Sequence, residues 1–149
     1  MRYLLFAFAF LIGHSTSAQL NPRLEGLWTG TITDSTGVEH KFELVLKLER
    51  KGKLTGTAFY HEFNGEVVEW EFTGKIHLDK SMNLYDNSFL NPDEIDFADT
   101  RPRVYQLLFR RSAFGDTLNG FWQAHDGTVG TRLRNRFGKI RLEKKPGGV

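Results

Sequence analysis

The chain of 149 residues contains no cysteine. That removes disulfide stapling, thiolate metal sites, a cysteine nucleophile and lipid attachment at a processed cysteine, so the domain must be held together by packing. Proline is scarce, with four residues. No apolar run is long enough to span a bilayer as a helix, and no segment repeats its apolar residues at helical spacing between caps. Neither sign of charge prevails: the net charge is +2, so bulk electrostatics imply neither a nucleic-acid partner nor an acidic one. A Gly-x-Ser-x-Gly elbow, a His-Glu-x-x-His helix and a phosphate loop are all missing, and no catalytic residue, cofactor or metal is expected.

The chain does have aromatic mass, with 13 Phe, 4 Tyr and 3 Trp, enough for the core of one domain. Arg2 precedes an apolar run over residues 3–12, followed by Ser15, Thr16, Ser17 and Ala18. This reads as a secretory signal peptide over residues 1–18, cleaved after Ala18, and implies a secreted or periplasmic protein. Its removal takes away only Arg2 among the formal charges, leaving 19 Lys and Arg against 18 Asp and Glu. The remaining charge is unevenly placed. Asp86, Asp93, Glu94, Asp96 and Asp99 form an acidic stretch, while Arg132, Arg134, Arg136, Lys139, Arg141, Lys144 and Lys145 crowd the other end.

Residues 19–149 read as one domain of strands joined by turns. Trp28, Gly30 and Ile32 alternate with Leu27, Thr29 and Thr31 in an opening strand. Phe42, Leu44, Leu46 and Leu48 alternate with polar residues in a second. A third runs from Leu54 to Tyr60. A fourth puts Val68, Trp70, Phe72, Gly74, Ile76 and Leu78 on one face. Met82 to Asp86 is a weaker fifth strand. A sixth carries Tyr105, Leu107 and Phe109 inward, a seventh Leu118, Gly120, Trp122 and Ala124, and a last Gly138, Ile140 and Leu142. Compared at an offset of 64, residues 54–80 and 118–144 share eight identities, among them Gly56/Gly120, His61/His125 and Gly74-Lys75-Ile76/Gly138-Lys139-Ile140. A duplicated unit of four strands gives eight, and an even number lets the last strand close antiparallel on the first. The expected fold is an all-β, eight-stranded antiparallel up-and-down meander barrel.

Gly26-Leu27-Trp28 on the first strand resembles the Gly-x-Trp opening of the calycins, the lipocalin, fatty-acid-binding and avidin barrels. Lys53-Leu54-Thr55-Gly56-Thr57 is similar to the avidin third strand. The polar residues that avidins place after their Trp to hold biotin are unmatched, with Gly30 and Asp34 standing there. The resemblance implies a structural role for Gly26 and Trp28, and a basic residue, Arg141 or Lys139, stacked over the Trp28 ring.

Up-and-down topology gathers the turns at 50–53, 79–81 and 112–116 at one end. The connections 34–38, 61–66, 87–102 and 125–136 share the other, which is the expected mouth. The inward set, Trp28, Phe42, Trp70, Phe72, Tyr105, Phe109 and Trp122, is bulky and almost devoid of charge. A filled interior and an apolar cavity near the mouth fit it equally. The candidate lining and rim residues are Trp70, Phe72, Tyr105, Trp122, Tyr60, His61 and His125. The His61-Glu62 and His125-Asp126 pairs should face each other across a bore of about 15 Å, too far to share a zinc ion unless both loops fold inward. The expected function is exported, non-enzymatic binding of a small apolar or amphipathic ligand at the mouth, with no nucleic acid and no membrane span. The alternative is capture of an extracellular protein, such as a hydrolase, through residues 87–102.

Overall fold

A computed structural model describes residues 22–89, 102–125 and 132–146. Eight strands follow one another: β1 Gly26–Thr33, β2 Glu39–Leu48, β3 Lys53–His61, β4 Val67–Ile76, β5 Ser81–Phe89, β6 Arg103–Ser112, β7 Gly115–His125 and β8 Arg132–Lys144. Each pairs antiparallel with the next, and β8 returns to β1, giving a closed up-and-down barrel. Closure runs from Ile32 opposite Ile140 to Trp28 opposite Lys144, so no sheet edge is left open.

Alternation of apolar and polar residues sets the inside from the outside. All seven expected inward aromatics are buried, together with Leu44, Leu54, Leu84, Leu118, Ile140 and Leu142. Gly30 lets the wall coil: a Cβ there would run into the Arg141 carbonyl of the adjoining strand, a close approach that only glycine permits. The tight turns carry the backbone conformations they need, with Lys51 at φ 60°, Gly52 at φ 76° and Lys80 at φ 67°.

One end is sealed. The short 3-10 turn Pro22–Leu24 precedes β1 and buries Leu24. The Trp28 indole N–H donates to the Leu24 carbonyl at 2.9 Å, and the Trp28 ring meets Phe109 edge-on at 6.0 Å. The cation over Trp28 is Lys144, at 5.6 Å from the ring centroid. Arg141 and Lys139 stand on the outward parity of β8 and are exposed, so neither can reach an inward ring. Lys144 lies at the strand end, opposite Trp28, and also donates to the Arg23 carbonyl.

The largest departures from the expected bounds are at β4, β5 and β8. β4 ends at Ile76, and Leu78 is 94% exposed in the turn His77–Lys80 rather than facing inward. That turn closes when the His77 N–H donates to the Ser81 carbonyl at 2.8 Å. β5 runs on to Phe89, with Asn87 as the extra residue of a bulge opposite Glu71 and Phe72. β8 begins at Arg132, six residues before Gly138, across an irregular stretch that pairs His125 with Arg132.

Candidate functional site

The loop-bearing end is built differently from the sealed one, because two charges enter the barrel there. Run back one step from Tyr105, the period of two on β6 reaches Arg103; run forward from Leu84 on β5, it reaches Asp86. The β5–β6 ladder has only five paired positions and stops at Tyr85 opposite Val104. Beyond it the Arg103 backbone N–H donates to Asp86 Oδ2 at 2.9 Å instead of to a strand carbonyl. The Tyr105 hydroxyl donates to the same oxygen at 3.0 Å. The expectation of an inner face almost free of charge is therefore corrected at this level.

Arg103 is 8% exposed. Its guanidinium carbon lies 4.9 Å from the Tyr60 ring centroid, 4.8 Å from Trp70 and 4.8 Å from Trp122. Those rings belong to β3, β4 and β7, so the side chain bridges the bore from one wall to the other. Each contact is worth about 0.5–2 kcal/mol, against a desolvation cost of several kcal/mol for a buried charge. No carboxylate among the described residues forms an ion pair with the guanidinium, and Arg103 Nε is buried without a hydrogen-bond partner there.

Asp86 does not supply full compensation. Burial pushes its carboxyl up to about 7, against the lowering effects of the Arg103 backbone N–H, the Arg103 charge and the Tyr105 hydroxyl. One oxygen carries both hydrogen bonds, and Oδ1 is buried without a partner among the described residues. The Tyr105 phenol is held well above its ordinary value, by burial first and then by Asp86. Tyr105 also stacks on Phe42 at 5.9 Å. Trp122 is pinned from behind, its indole N–H donating to the Thr33 carbonyl at 2.6 Å. Gly138 makes room for that bond, since a Cβ there would collide with both partners.

The structure thus brings Tyr60, Trp70, Trp122 and Tyr105 together around Arg103 and Asp86. Phe72 is buried one layer deeper, opposite Asp86 on the β4–β5 ladder. His61 does not join them. It sits on the outward parity of β3, with Nε2 3.5 Å from Glu43 Oε2, and Lys41, at 2.8 Å, holds the Glu43 carboxyl below its ordinary value ahead of His61. The His125 side chain lies outside the described residues, as do Asp126, residues 90–101 with their acidic cluster, and residues 1–18. Among the described residues, the rim histidine that faces inward is His40, 7% exposed, with its ring 4.9 Å from Tyr60 and 4.5 Å from Phe63. Its Nε2 is 3.6 Å from Asp34 Oδ2. The same alternation would have found it, two residues before Phe42.

A concavity lies on the outer wall. It is an open groove of about 740 Å³ crossed by Gln106, Arg110, Asn119, Phe121, Lys139 and Arg141. Apolar side chains such as Leu108 and Phe121 share its lining with these polar and charged groups, and it lacks the buried, converging arrangement of the mouth.

No family model matches the chain, and no curated protein matches it. Solved structures do. A redesigned β-barrel, mFAP1, bound to DFHBI is 11% identical, with a TM-score of 0.58 over 82% of this chain and 95% of that one. EF1p2_mFAP2b bound to DFHBI is 10% identical, with a TM-score of 0.58 over 83% and 94%. Another redesigned barrel, b11L5F_LGL, is 11% identical, with a TM-score of 0.56 over 83% and 92%. At such identities the likeness is one of fold.

Proposed function

We propose that this chain is an exported calycin-type barrel that binds a small apolar or amphipathic molecule at its loop-bearing end and performs no chemistry on it. The observation that carries the reading is the convergence of Tyr60, Trp70 and Trp122 on one point of the bore, within reach of the mouth. Aromatic walls with a few fixed polar groups are the common make-up of a small-molecule site. An eight-stranded barrel has room for one such ligand when its interior is not completely filled. The similar redesigned β-barrel mFAP1 and the similar EF1p2_mFAP2b are both bound to DFHBI, which supports the capacity of this architecture to take a small guest.

The experiment uses protein purified from its own source. Native mass spectrometry should find a co-purifying small molecule, and a neutral hydrophobic dye, Nile red, should quench tryptophan emission with saturation at one equivalent. A barrel that is always empty and a dye that leaves the emission unchanged would refute the reading.

A further inference from the structure

We infer that the sealed end of this barrel docks on an anionic phospholipid bilayer, with Phe114 and Leu78 entering the headgroup layer and the lysines and arginines around them meeting the lipid charges. The inference concerns the end opposite the mouth and does not depend on the ligand reading above.

The first observation is a pair of apolar tips. Leu78, in the turn His77–Lys80, and Phe114, in the hairpin between β6 and β7, are the two most exposed large apolar side chains among the described residues, at 94% and 102%. Their turns are neighbours. Ser81 pairs with Leu108, and the Phe109 N–H donates to the Lys80 carbonyl at 3.1 Å. From there the β6–β7 ladder runs on to Ser112 opposite Gly115, four residues past the last β5 partner, so the hairpin overhangs β5 by about 13 Å. Its tip is fixed rather than loose: the Ser112 hydroxyl donates to the Gly115 carbonyl at 2.7 Å and accepts from the Phe114 N–H at 3.2 Å. Scattered exposed apolar residues are ordinary, whereas two at the apices of adjacent turns form a paired anchor.

The second observation is where the charge lies. The segments 22–25, 47–55, 75–81, 110–117 and 143–145 make up this end, and they hold 11 Lys and Arg against 5 Asp and Glu. The rest of residues 22–149 holds 8 against 13. A chain almost neutral in bulk is thus +6 at its sealed end and −5 elsewhere, and the field of an anionic surface would turn that end toward it. The third observation is in the turns themselves. Lys51 and Lys80 stand at φ 60° and φ 67°, left-handed positions that glycine or asparagine fills at less cost, and both are exposed. The acid beside Leu78 is turned away from solvent partners, since Asp79 Oδ1 accepts from the Ser81 N–H at 3.0 Å and hydroxyl at 2.6 Å.

Apolar side chains at projecting tips with cations around them are the make-up of an interfacial anchor, in which burial in the headgroup layer and attraction to anionic lipid act together. The cations are spread over every turn of the end rather than along one track, which suits a charged plane better than a single polymer strand. Docked this way, the barrel turns its mouth to the aqueous side.

The test is sedimentation of protein purified from its own source with sucrose-loaded vesicles, of phosphatidylcholine alone or with about 30 mol% phosphatidylglycerol. Binding should be at least about tenfold tighter to the anionic vesicles and should fall away between about 0.05 M and about 0.5 M salt. Phe114→Ser and Leu78→Ser should each weaken it several-fold at an unchanged melting temperature, and Lys51→Gln combined with Lys80→Gln should also weaken it. Phe137→Ser, an exposed ring on the outer wall of β8, should not. Phe114→Trp should add an emission that shifts to the blue on anionic vesicles and is quenched by brominated lipid. Equal binding to neutral and anionic vesicles overturns the inference, and so does anionic binding that both serine variants leave intact. Retention on heparin or single-stranded DNA without any on vesicles also overturns it, since the end would then receive a polyanion.

Discussion

Replacing Asp86 by asparagine should favour the folded protein, relative to the parent, more at pH 8 than at pH 5. Asparagine keeps an acceptor for the Arg103 N–H and the Tyr105 hydroxyl, the two bonds that Asp86 Oδ2 makes, and removes the buried charge. The folded-state value of about 7 lies above the ordinary 3.8. Between those values the native state holds more protons than the unfolded one. The group costs nothing below the unfolded value, becomes progressively destabilising as the pH rises, and exerts its full effect above the folded value. The full span of about three units corresponds to about 4 kcal/mol, and the part that develops between pH 5 and pH 8 to about 2–3 kcal/mol. An unpaired amide N–H₂ in place of Oδ1 subtracts about 1–3 kcal/mol, but equally at both pH values. The observable is therefore the change in ΔΔG between Asp86→Asn and the parent, read by urea unfolding at pH 5 and pH 8 under circular dichroism. A ΔΔG that does not move with pH, or that favours the variant more at pH 5, refutes the assignment of a charge-averse carboxyl to the bore.

The sealed end should be more fragile than the rim. Trp28→Ala removes a fully buried ring, its bond to Leu24 and its contact with Lys144, and should cost about 3–5 kcal/mol, a large part of the roughly 5–15 kcal/mol that holds a domain; thermal unfolding measures it. Lys144→Met, which keeps the stem and removes the cation, should cost about 0.5–2 kcal/mol in the same assay. Gly138→Ala should cost about 1–3 kcal/mol and shift the Trp122 emission, because the new Cβ meets the Trp122–Thr33 hydrogen bond. His61→Ala should change stability by no more than about 1 kcal/mol, since its pair with Glu43 lies on the outer wall.

The barrel was legible because each strand repeats one instruction, apolar residues two apart, and because Gly-x-Trp and the short turns sort the ends. The inward cluster at the mouth was half legible. Tyr60, Trp70, Tyr105 and Trp122 follow from alternation, whereas Arg103 and Asp86 occupy the next inward positions on their strands and were passed over because charge argues for an exterior. Extending the period past the last apolar residue would have found both, on adjacent strands and at the same end. His61 misled for the opposite reason: its place near the rim was right, but the parity of β3 turns it outward. The bulge at Asn87 and the early start of β8 left no comparable signal, since both depend on how the neighbouring strand pairs rather than on local composition. Lys144 over Trp28 is of the same kind, set by the register of closure.

The central claim is that this barrel receives a small molecule at the mouth, against the Arg103 cage. The chain's three tryptophans report on it separately, Trp28 at the sealed end and Trp70 and Trp122 on the cage. Titrating Nile red into ¹⁵N-labelled protein should shift the indole N–H resonances of Trp70 and Trp122 and leave that of Trp28 in place. Unmoved cage indoles, with shifts confined to the amides of Phe121, Lys139 and Arg141 on the outer groove, would contradict it.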